Sequence, residues 1–348
     1  MYKISINSRK IGFKEPCYIV AEMSANHTQN FEQALEIIKA AKEAGADAVK
    51  LQTYTPDTMT INVRNEYFKV KETIWDGRNL FDLYSQAQTP WEWHAKLKER
   101  TESLGLDFFS TAFDSTAVDF LENLKIPAYK IASFELVDLP LLRRVAATGK
   151  PVIMSTGMAS LAEIDEAIKT VKAFGGNKMA LLKCTSAYPA PPEEINLLTI
   201  PHLNEAFGIP VGLSDHTLGV EVAVAAVTLG ACIVEKHFTL SRENAGPDSS
   251  FSAEPDEFKE MVRAIRTVEK ALGCVQYQVT AKEESCRALR RSLFVIEDMR
   301  LGEVFKEKNV KSIRPGYGLH TRHLEDVLGR KAKKNIKKGT PLNWDLIA

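Results

Sequence analysis

Residues 209–251 read IPVGLSDHTLGVEVAVAAVTLGACIVEKHFTLSRENAGPDSSF and contain two short apolar runs, each ending in charged or imidazole side chains. An apolar segment of helical length, 222–226, lies between the two runs. Strand, helix and strand in this order are typical of a parallel βαβ unit, whose strand carboxyl ends open onto the ligand crevice. The sequence therefore predicts that both strands deliver polar side chains to one binding site.

The polar residues at these strand ends have the types that bind a divalent cation. They are Ser214, Asp215 and His216 after the first strand, Glu235 and His237 after the second, and Asp248 in the following loop. Two imidazoles with neighbouring carboxylates suit a cation that keeps open coordination positions. A single histidine at a strand end is more often a hydrogen-bonded structural residue than a metal ligand. Two at equivalent strand ends, both with acidic neighbours, make the two roles equally well supported, and the rest of the chain decides between them.

The alternation of strand and helix repeats from Tyr18 onward. Eight apolar runs end in polar residues, at 18–23, 48–53, 107–113, 128–133, 151–156, 179–184, 210–215 and 232–238. Amphipathic segments such as 31–45 lie between them, with apolar residues at helical spacing. Eight such units in about 250 residues predict an α/β fold, a (β/α)8 TIM barrel. A doubly wound sheet would carry a glycine-rich turn after its first strand, where this chain has SANHTQN.

The pattern also predicts where the barrel begins and ends. Residues 1–16 alternate apolar and polar positions and predict an N-terminal hairpin that covers one end of the barrel. The catalytic barrel is expected over 17–273, a linker over 274–287 and a small C-terminal β-rich domain over 288–348. Because about 60 residues bury only a marginal core, this last domain is expected to lean on its own barrel or on a partner subunit.

Composition narrows the possible partners. The 45 basic and 45 acidic residues give a formal net charge of zero, so no nucleic acid and no anionic membrane is expected as a partner. Five cysteines without metal-binding spacing, and an N-terminus without an apolar leader, favour a cytoplasmic enzyme with reduced thiols. The basic run 330–338 is interpreted as a solvated face.

In a barrel, the side chains at the strand carboxyl ends should share one mouth. In this chain they are Glu22; Lys50 and Gln52; Ser110 and Thr111; Lys130, Ser133 and Glu135; Ser155 and Thr156; Lys183, Thr185, Ser186 and Tyr188; Ser214, Asp215 and His216; and Glu235, Lys236 and His237. Lys50 and Lys130 interrupt apolar strands, and a buried lysine costs free energy unless it meets an anion. That anion is either a barrel carboxylate, Glu22 or Glu135, or a small substrate carrying phosphate or carboxylate. A metal beside such a substrate would polarise a carbonyl.

Nine motifs in order resemble the sialic acid synthase family over essentially the whole chain. They are AEMSANH (21–27), VKLQT (49–53), KIAS-E (130–135), STGM (155–158), LLKCTSAYPAP (181–191), GLSDHT (212–217), EKHF (235–238), GPD (246–248) and RPGYG (314–318). The last lies in what resembles the family's C-terminal antifreeze-like (SAF) domain. The resemblance implies condensation of phosphoenolpyruvate with an N-acetylated amino sugar to a nine-carbon 2-keto sugar acid. It also implies release of phosphate and use of a divalent metal, Mn²⁺ or Mg²⁺.

The resemblance also implies roles for individual residues. His216 and His237 would bind the metal. The phosphoenolpyruvate contacts would be Lys50, Thr111, Lys130 and Ser133, with Ser155, Ser186 and Ser214 near the phosphate. Glu22 and Asp248 would face the sugar, Glu22 transferring a proton, and Gln52, Glu135 and Tyr188 would complete the substrate site. Arg314 would reach the barrel mouth of a second subunit and contact the N-acetyl group, which implies a domain-swapped homodimer.

Two departures from the N-acetylneuraminate type point to one branch of this family. The chain has GPDSSFS (246–252) where that type has GPDH, and CTSAYP (184–189) where it has CTN-YP. Both resemble the pseudaminic acid synthase branch, whose acceptor is 2,4-diacetamido-2,4,6-trideoxy-altrose. Ser249 leaves room beside the sugar, and Phe251 could supply an apolar wall for the acceptor's methyl group. N-acetylneuraminate and legionaminate synthases stay as alternatives.

Two more distant functions fit part of the pattern. A class I aldolase would use Lys50 or Lys130 as a Schiff base and would be indifferent to a chelator. A non-enzymatic protein would use the barrel as a scaffold for a ligand-binding C-terminal domain. Polar residues at nearly every strand end argue against the scaffold, because a scaffold would not carry their desolvation cost.

Overall fold

The computed structural model describes residues 3–244 and 246–348. The chain divides between Gly273 and Cys274 into two compact units. None of the helices in the described ranges has both the length and the apolar character that crossing a membrane requires.

The first unit contains a hairpin followed by eight parallel strands. Antiparallel β1 (Lys3–Ile6) and β2 (Arg9–Gly12) form the hairpin. The parallel strands are β3 (Tyr18–Glu22), β4 (Ala48–Thr53), β5 (Asp107–Ala112), β6 (Tyr129–Ile131), β7 (Val152–Ser155), β8 (Met179–Cys184), β9 (Val211–Asp215) and β10 (Ile233–His237). They pair in chain order, and β10 closes onto β3. The predicted (β/α)8 barrel is therefore confirmed, and each strand falls within its predicted range.

Helices follow the strands around the barrel. They are α1 (Phe31–Glu43), α2 (Pro56–Met59), α3 (Leu80–Ala87), α4 (His94–Ser103), α5 (Ser115–Asn123), α6 (Leu139–Ala146), α7 (Leu161–Ala173), α8 (Thr199–Phe207), α9 (Glu221–Thr228) and α10 (Pro255–Leu272). The Asn30 side chain caps α1 by accepting from Gln33 N, and Ser160 forms a capping box with Glu163 at the start of α7. Their buried faces, such as Ala34, Ile37 and Ile38, pack on the outside of the strands.

The strands separate two apolar layers because successive side chains point to opposite faces. One layer lies between strands and helices. The other fills the barrel and joins hairpin residues to strand residues: Ile4, Ile6, Ile11, Tyr18, Val20, Ala48, Phe109, Ala128, Ile153, Ala180, Leu182, Cys232 and Ile233. Asn7 bonds Asp107, the first residue of β5, at 2.6 Å, so the hairpin sits at the amino ends of the strands. The opposite end of the barrel is left for the polar strand ends.

The second unit has its own small core. It contains α11 (Ala281–Arg287), the antiparallel pair β11 (Ser292–Val295) and β12 (Val310–Ile313), and α12 (Leu324–Val327). Buried side chains including Leu293, Phe305 and Leu342 form a separate cluster. Helix α11 lies within the segment interpreted as a linker, and a Thr280–Glu283 capping box starts it. Within the basic run 330–338, Ala332 and Ile336 are buried and the lysines are exposed.

Candidate active site

Four charged side chains lie together inside the barrel at the carboxyl ends of the strands. Lys50 Nζ is 2.5 Å from Glu22 Oε2 and 3.4 Å from Glu235 Oε1. Lys130 Nζ is 3.8 Å from the same oxygen of Glu235. All four residues are buried. The Glu235 carboxylate is therefore shared by the ammonium groups of Lys50 and Lys130, and Glu22 pairs with Lys50 alone.

Strand register and alternation bring these four residues together. Glu22 lies opposite Lys50 across β3 and β4. Two residues before each of them, Val20 and Ala48 belong to the apolar filling of the barrel. Because side chains alternate with a period of two, Glu22 and Lys50 continue the inward-facing column. The apolar layer below them is the reason that their charges are shielded from water.

The buried charges differ in how firmly each holds its proton. Burial raises the pKa of Glu22 to about 7, and the Glu235 carboxylate adds to this while Lys50 opposes it. For Glu235 burial acts in the same direction, but Lys130 and Lys50 outweigh it and lower the pKa. Burial lowers the pKa of Lys130, against the attraction of Glu235. Glu235 is therefore the permanent anion of the group, and Glu22 is the carboxylate that can take up a proton near neutral pH.

Hydroxyl groups surround the two lysines. Lys50 Nζ donates to Thr111 Oγ1 at 3.0 Å, and Lys130 Nζ donates to Ser155 Oγ at 2.7 Å. Ser214 Oγ lies 3.5 Å from Glu235 Oε1. Ser133 Oγ accepts from the backbone of Gly157 at 3.1 Å. Two ammonium groups with several hydroxyl donors form a site for a small anion with more than one charge.

Gly157 makes this anion site narrow. A Cβ built at Gly157 would lie 2.7 Å from Ser133 Oγ and in closer contact still with Ser186 Oγ. Ser186 itself lies 3.9 Å from Cys184 Sγ. The absent side chain therefore lets the hydroxyls of Ser133 and Ser186 approach the same space, near the backbone N–H of Gly157.

Gly157→Ala is expected to raise the KM for the anionic substrate by about 5- to 150-fold, because overpacking a tight site costs about 1–3 kcal/mol. The measurement is the dependence of the reaction rate on the concentration of the anionic substrate. Met158→Ala is the matched control, since the Met158 side chain is 64% exposed. A KM within about twofold of wild type would contradict the assignment of this space to the anion.

The two predicted metal ligands are neighbours at the same mouth. The rings of His216 and His237 have centroids 5.5 Å apart. His216 Nδ1 lies 2.9 Å from the Thr185 carbonyl, which leaves Nε2 as its available nitrogen. His237 Nδ1 is buried and has no hydrogen-bond partner among the described residues. Burial, reinforced by the neighbouring positive charges, lowers the pKa of His237 well below its usual value, so this imidazole is neutral.

These residues fit a divalent cation with open positions. Metal binding requires neutral imidazoles with a free nitrogen, and His237 offers an unpartnered one. Over the described ranges, no cluster of three or more histidine, cysteine or acidic side chains is placed to hold an ion. The two imidazoles would thus supply part of a coordination shell, and substrate and water oxygens would supply the rest.

Asp248 is held at the rim by the turn after β3. Its carboxylate accepts hydrogen bonds from Ser24 Oγ and from Ala25 N, the latter at 3.4 Å. Gln52 Nε2 donates to the same Ser24 Oγ at 2.9 Å. Burial raises the pKa of Asp248, while the Ser24 hydroxyl and the Ala25 N–H pull it down. Gln52 and Asp248, far apart in the chain, therefore share one hydrogen-bonded corner.

The structure corrects the predicted partner of the lysines. Glu135 was one of the two expected carboxylates, but no ion pair to it occurs in the described part of the chain, and Glu235 takes that place. Glu135 lies beyond the end of β6, in a 3-10 turn, Phe134–Val137, rather than on a strand of the barrel. Its Oε2 is buried without a partner among the described atoms, and burial raises its pKa to about 7. Glu135 stays a proposed substrate contact.

The expectation that all strand-end side chains share one mouth was too broad. Lys236 Nζ pairs with Asp215 Oδ2 at 2.6 Å, and Ser110 Oγ lies 2.6 Å from Thr53 Oγ1. Ser110 in β5, Asp215 in β9 and Lys236 in β10 each follow or precede a residue that faces into the barrel; Lys236, for example, follows Glu235. Alternation therefore turns them to the outer face of the barrel, away from the mouth.

Arg314 lies in the second unit, directly after β12, and its side chain is exposed. The other predicted site residues belong to the first unit, where Lys50 contacts Glu22 and Thr111 and where Lys130 contacts Ser155. The expected contact of Arg314 with a sugar in a second subunit stays a prediction.

Two residues of this region, Cys184 and Trp75, were not among the predicted site residues, and the role of a third was not predicted. Glu235 was expected at the mouth, from a carboxylate inside the apolar run CIVEKHF, but not as the bridge between both lysines. Cys184 Sγ lies 4.0 Å from His216 Nδ1, and although burial opposes ionisation, His216 and Ser133 lower the thiol pKa to about 6. Trp75 packs on Tyr188 from a loop that the sequence does not mark.

The chain matches models of two known families. A model of the NeuB family matches residues 37–277, and a model of the SAF domain matches residues 290–348. The pseudaminic acid synthase of Helicobacter pylori is 47% identical over 332 residues, which cover 95% of this chain and 98% of that protein. The pseudaminic acid synthase of Campylobacter jejuni is 45% identical over 325 residues, 93% of this chain and 95% of that protein.

A solved structure supports the same grouping. The N-acetylneuraminic acid (sialic acid) synthetase from Leptospira borgpetersenii, crystallised with citrate, superposes with a TM-score of 0.73 at 32% identity. The superposition covers 82% of this chain and 94% of that one. The resemblance to sialic acid synthases and the fold of a TIM barrel with an SAF domain are confirmed.

Proposed function

Because the chain belongs to the NeuB family, we propose that it is a pseudaminic acid synthase. The reaction condenses phosphoenolpyruvate with 2,4-diacetamido-2,4,6-trideoxy-altrose and releases phosphate. The observation that carries this proposal is the pair of buried lysines beside two adjacent imidazoles at one barrel mouth. Identity of 45–47% to two pseudaminic acid synthases over more than nine-tenths of the chain supports the choice of branch.

Phosphoenolpyruvate matches the lysine site in charge. Its carboxylate and phosphate are separate anionic groups on a three-carbon skeleton, and Lys50 and Lys130 are separate cations joined by Glu235. Thr111 and Ser155 already accept from these lysines, so their hydroxyl protons are free to point at a bound anion. Ser133, Ser186 and Ser214 are proposed to bind the phosphate.

The acceptor aldehyde is proposed to lie between this site and the imidazoles. A divalent cation, Mn²⁺ or Mg²⁺, held by His216 and His237 would supply Lewis-acid polarisation of the aldehyde carbonyl. Gln52 and Asp248, which share a hydrogen-bonded corner, and Tyr188, whose ring packs on His216, are proposed to orient the sugar.

The bond changes balance with water as the third reactant. C3 of phosphoenolpyruvate forms a bond to the aldehyde carbon, and the aldehyde oxygen gains a proton. Water adds to C2 and loses one proton; the C2–O bond to phosphate then breaks as the C2 hydroxyl loses the second proton to the departing phosphate, which leaves the 2-keto acid. Glu22 is proposed to transfer a proton because burial raises its pKa to about 7, and because its Oε1 has no hydrogen-bond partner among the described residues while Oε2 pairs with Lys50. Asp248, by contrast, already accepts from Ser24 and Ala25.

The subunit arrangement and the cellular location are also proposed. Arg314 is proposed to contact the N-acetyl group in a second subunit's barrel, as in a domain-swapped homodimer. Because phosphoenolpyruvate is a product of central carbon metabolism, the cytoplasm is the proposed location.

The test is phosphate release from phosphoenolpyruvate with three acceptors: the diacetamido-altrose, the diacetamido-mannose of the legionaminate pathway and N-acetylmannosamine. We expect the altrose derivative to give the highest kcat/KM. Phosphoenolpyruvate labelled with ¹⁸O at C2 should deliver the label to phosphate. A higher kcat/KM with either other sugar would assign the chain to a legionaminate or N-acetylneuraminate synthase instead.

An aldolase is the one distant alternative that an observation favours, because burial lowers the pKa of Lys130. Such an enzyme would form a Schiff base and ignore EDTA. Borohydride treatment in the presence of substrate, followed by mass spectrometry, should leave both lysines unmodified. A reduced adduct on Lys130 would establish the aldolase.

The raised pKa of Glu22 predicts the acidic side of the pH profile. Protonation below about pH 7 removes the base form of Glu22, so log(kcat/KM) for phosphoenolpyruvate should fall as the pH drops through 7. Glu22→Gln removes this group, and its residual rate should lack that limb. The ionisation of phosphoenolpyruvate affects wild type and Glu22→Gln equally, so the difference between their two pH profiles reports the ionisation of Glu22.

Glu135 is the internal control for that profile because burial raises its pKa to about 7 as well. Glu135→Gln should keep the wild-type limb. A limb that persists in Glu22→Gln and disappears in Glu135→Gln would transfer the proton-transfer role to Glu135.

A further inference from the structure

One aromatic residue reaches the mouth from the long connection between β4 and α3. Trp75 is partly buried, whereas Thr73, Ile74 and Asp76 around it are exposed. Connections that follow barrel strands lie at the same end as the strand carboxyl termini. Trp75 is therefore directed inward by this connection while its neighbours face solvent.

The indole is fixed against the loop that carries Asp248. Trp75 Nε1 donates to the carbonyl of Pro247 at 2.9 Å. Its ring centroid lies 5.6 Å from Tyr188 and 6.4 Å from Phe251. Because its only polar atom is already bonded, Trp75 can offer a ligand only carbon surface.

The same rings continue to the proposed metal ligands. The Tyr188 ring lies 4.4 Å from His216, and the Phe251 ring lies 5.0 Å from His237. A cavity of about 530 Å³ is lined by residues 72–75 on one side and 186–189 on the other. Small-molecule sites span about 300–1,000 Å³, so this cavity can hold a monosaccharide derivative.

We propose that Trp75 is a specificity-determining residue whose indole packs against the methyl-bearing part of the acceptor sugar. This inference rests on the proposed function. The altrose derivative carries a C6 methyl and two acetamido methyl groups, whereas N-acetylmannosamine has a C6 hydroxymethyl and one acetamido group. Methyl groups gain from contact with an aromatic face, and a hydroxymethyl group placed there would lose its hydrogen bonds to water.

The experiment compares Trp75→Ala and Trp75→Phe with wild type on both acceptors. A methyl-sized contact in an apolar pocket discriminates by about 10- to 200-fold. Trp75→Ala is expected to lower kcat/KM for the altrose derivative by at least about tenfold. Turnover of N-acetylmannosamine and the KM for phosphoenolpyruvate should change by less than about twofold. Trp75→Phe should fall between, because a smaller ring keeps part of the apolar wall.

Tyr67→Ala is the matched control, an aromatic residue in the same connection that is 90% exposed. It should behave as wild type on both acceptors. Circular dichroism and melting temperatures of all variants establish that the fold is retained.

The outcomes separate this inference from the proposed function. If wild type prefers the altrose derivative and Trp75→Ala keeps the same preference, the role of Trp75 is wrong and the function stands. An equal loss of kcat/KM on both acceptors, or a raised KM for phosphoenolpyruvate, would show that Trp75 only stabilises the loop, and would also overturn the inference. A wild-type preference for N-acetylmannosamine would overturn both.

Discussion

Lys130→Met is expected to lower kcat/KM for phosphoenolpyruvate by about 10³-fold, since removing one preorganised donor costs about 10²–10³ and a charged donor more. Lys130 is buried, and its ammonium donates to Ser155 Oγ and to the Ile131 carbonyl. Methionine keeps a similar length and removes the charge. The measurement is phosphate release at varied phosphoenolpyruvate and saturating acceptor.

The fold should tolerate this substitution. Glu235 keeps Lys50 at 3.4 Å when Lys130 is removed, so no buried carboxylate is left without a cation. Lys169→Met is the control: this lysine lies on α7 with a side chain 73% exposed. A loss of less than about tenfold in Lys130→Met, with an unchanged melting temperature, would remove Lys130 from the anion site.

His237→Gln is expected to abolish metal-dependent condensation and to weaken metal binding itself. Mutating a residue that only orients a metal ligand costs about 10–100-fold in affinity, so loss of an imidazole ligand should cost more than about 100-fold. His237 is neutral because burial lowers its pKa, and its Nδ1 has no partner among the described residues. Calorimetric titration of the metal-free protein with MnCl₂ measures this directly, without turnover.

A matched histidine separates this effect from a change of charge or fold. His202 lies on the surface-exposed side of α8, and His202→Gln should bind Mn²⁺ as wild type does. Activity in wild type should disappear with EDTA and return with added Mn²⁺ or Mg²⁺. If His237→Gln bound Mn²⁺ with unchanged affinity, the assignment of the metal to the imidazole pair would be wrong.

The barrel was predictable because its signals are local. Each apolar run from 18–23 to 232–238 ends in polar residues and is followed by a helical pattern, and each of the eight strands falls within such a run. The family resemblance likewise rests on short motifs that stand in the sequence. These signals depend on hydrophobic periodicity and turn residues, which act over a few positions.

The composition of the mouth was predictable only in part. Lys50, Lys130, His216 and His237 were recognised because charged or imidazole groups are costly in apolar strands. Ser110, Asp215 and Lys236 have the same signal, yet two of them form a buried ion pair on the outer face. Which face a side chain takes depends on the phase of the strand's alternation relative to its neighbours, and a strand end gives no local marker of that phase.

The pairings themselves depended on barrel closure. Glu235 in β10 meets Lys50 in β4 because closure of β10 onto β3 puts residues far apart in the chain within 3.4 Å. Glu135, two residues past Ser133 and close in sequence to Lys130, does not pair with it. Trp75 reaches Pro247 across 172 positions of the chain. The residue types followed from the sequence, whereas their partners were set by a closed sheet that brings distant strands side by side, which no local pattern encodes.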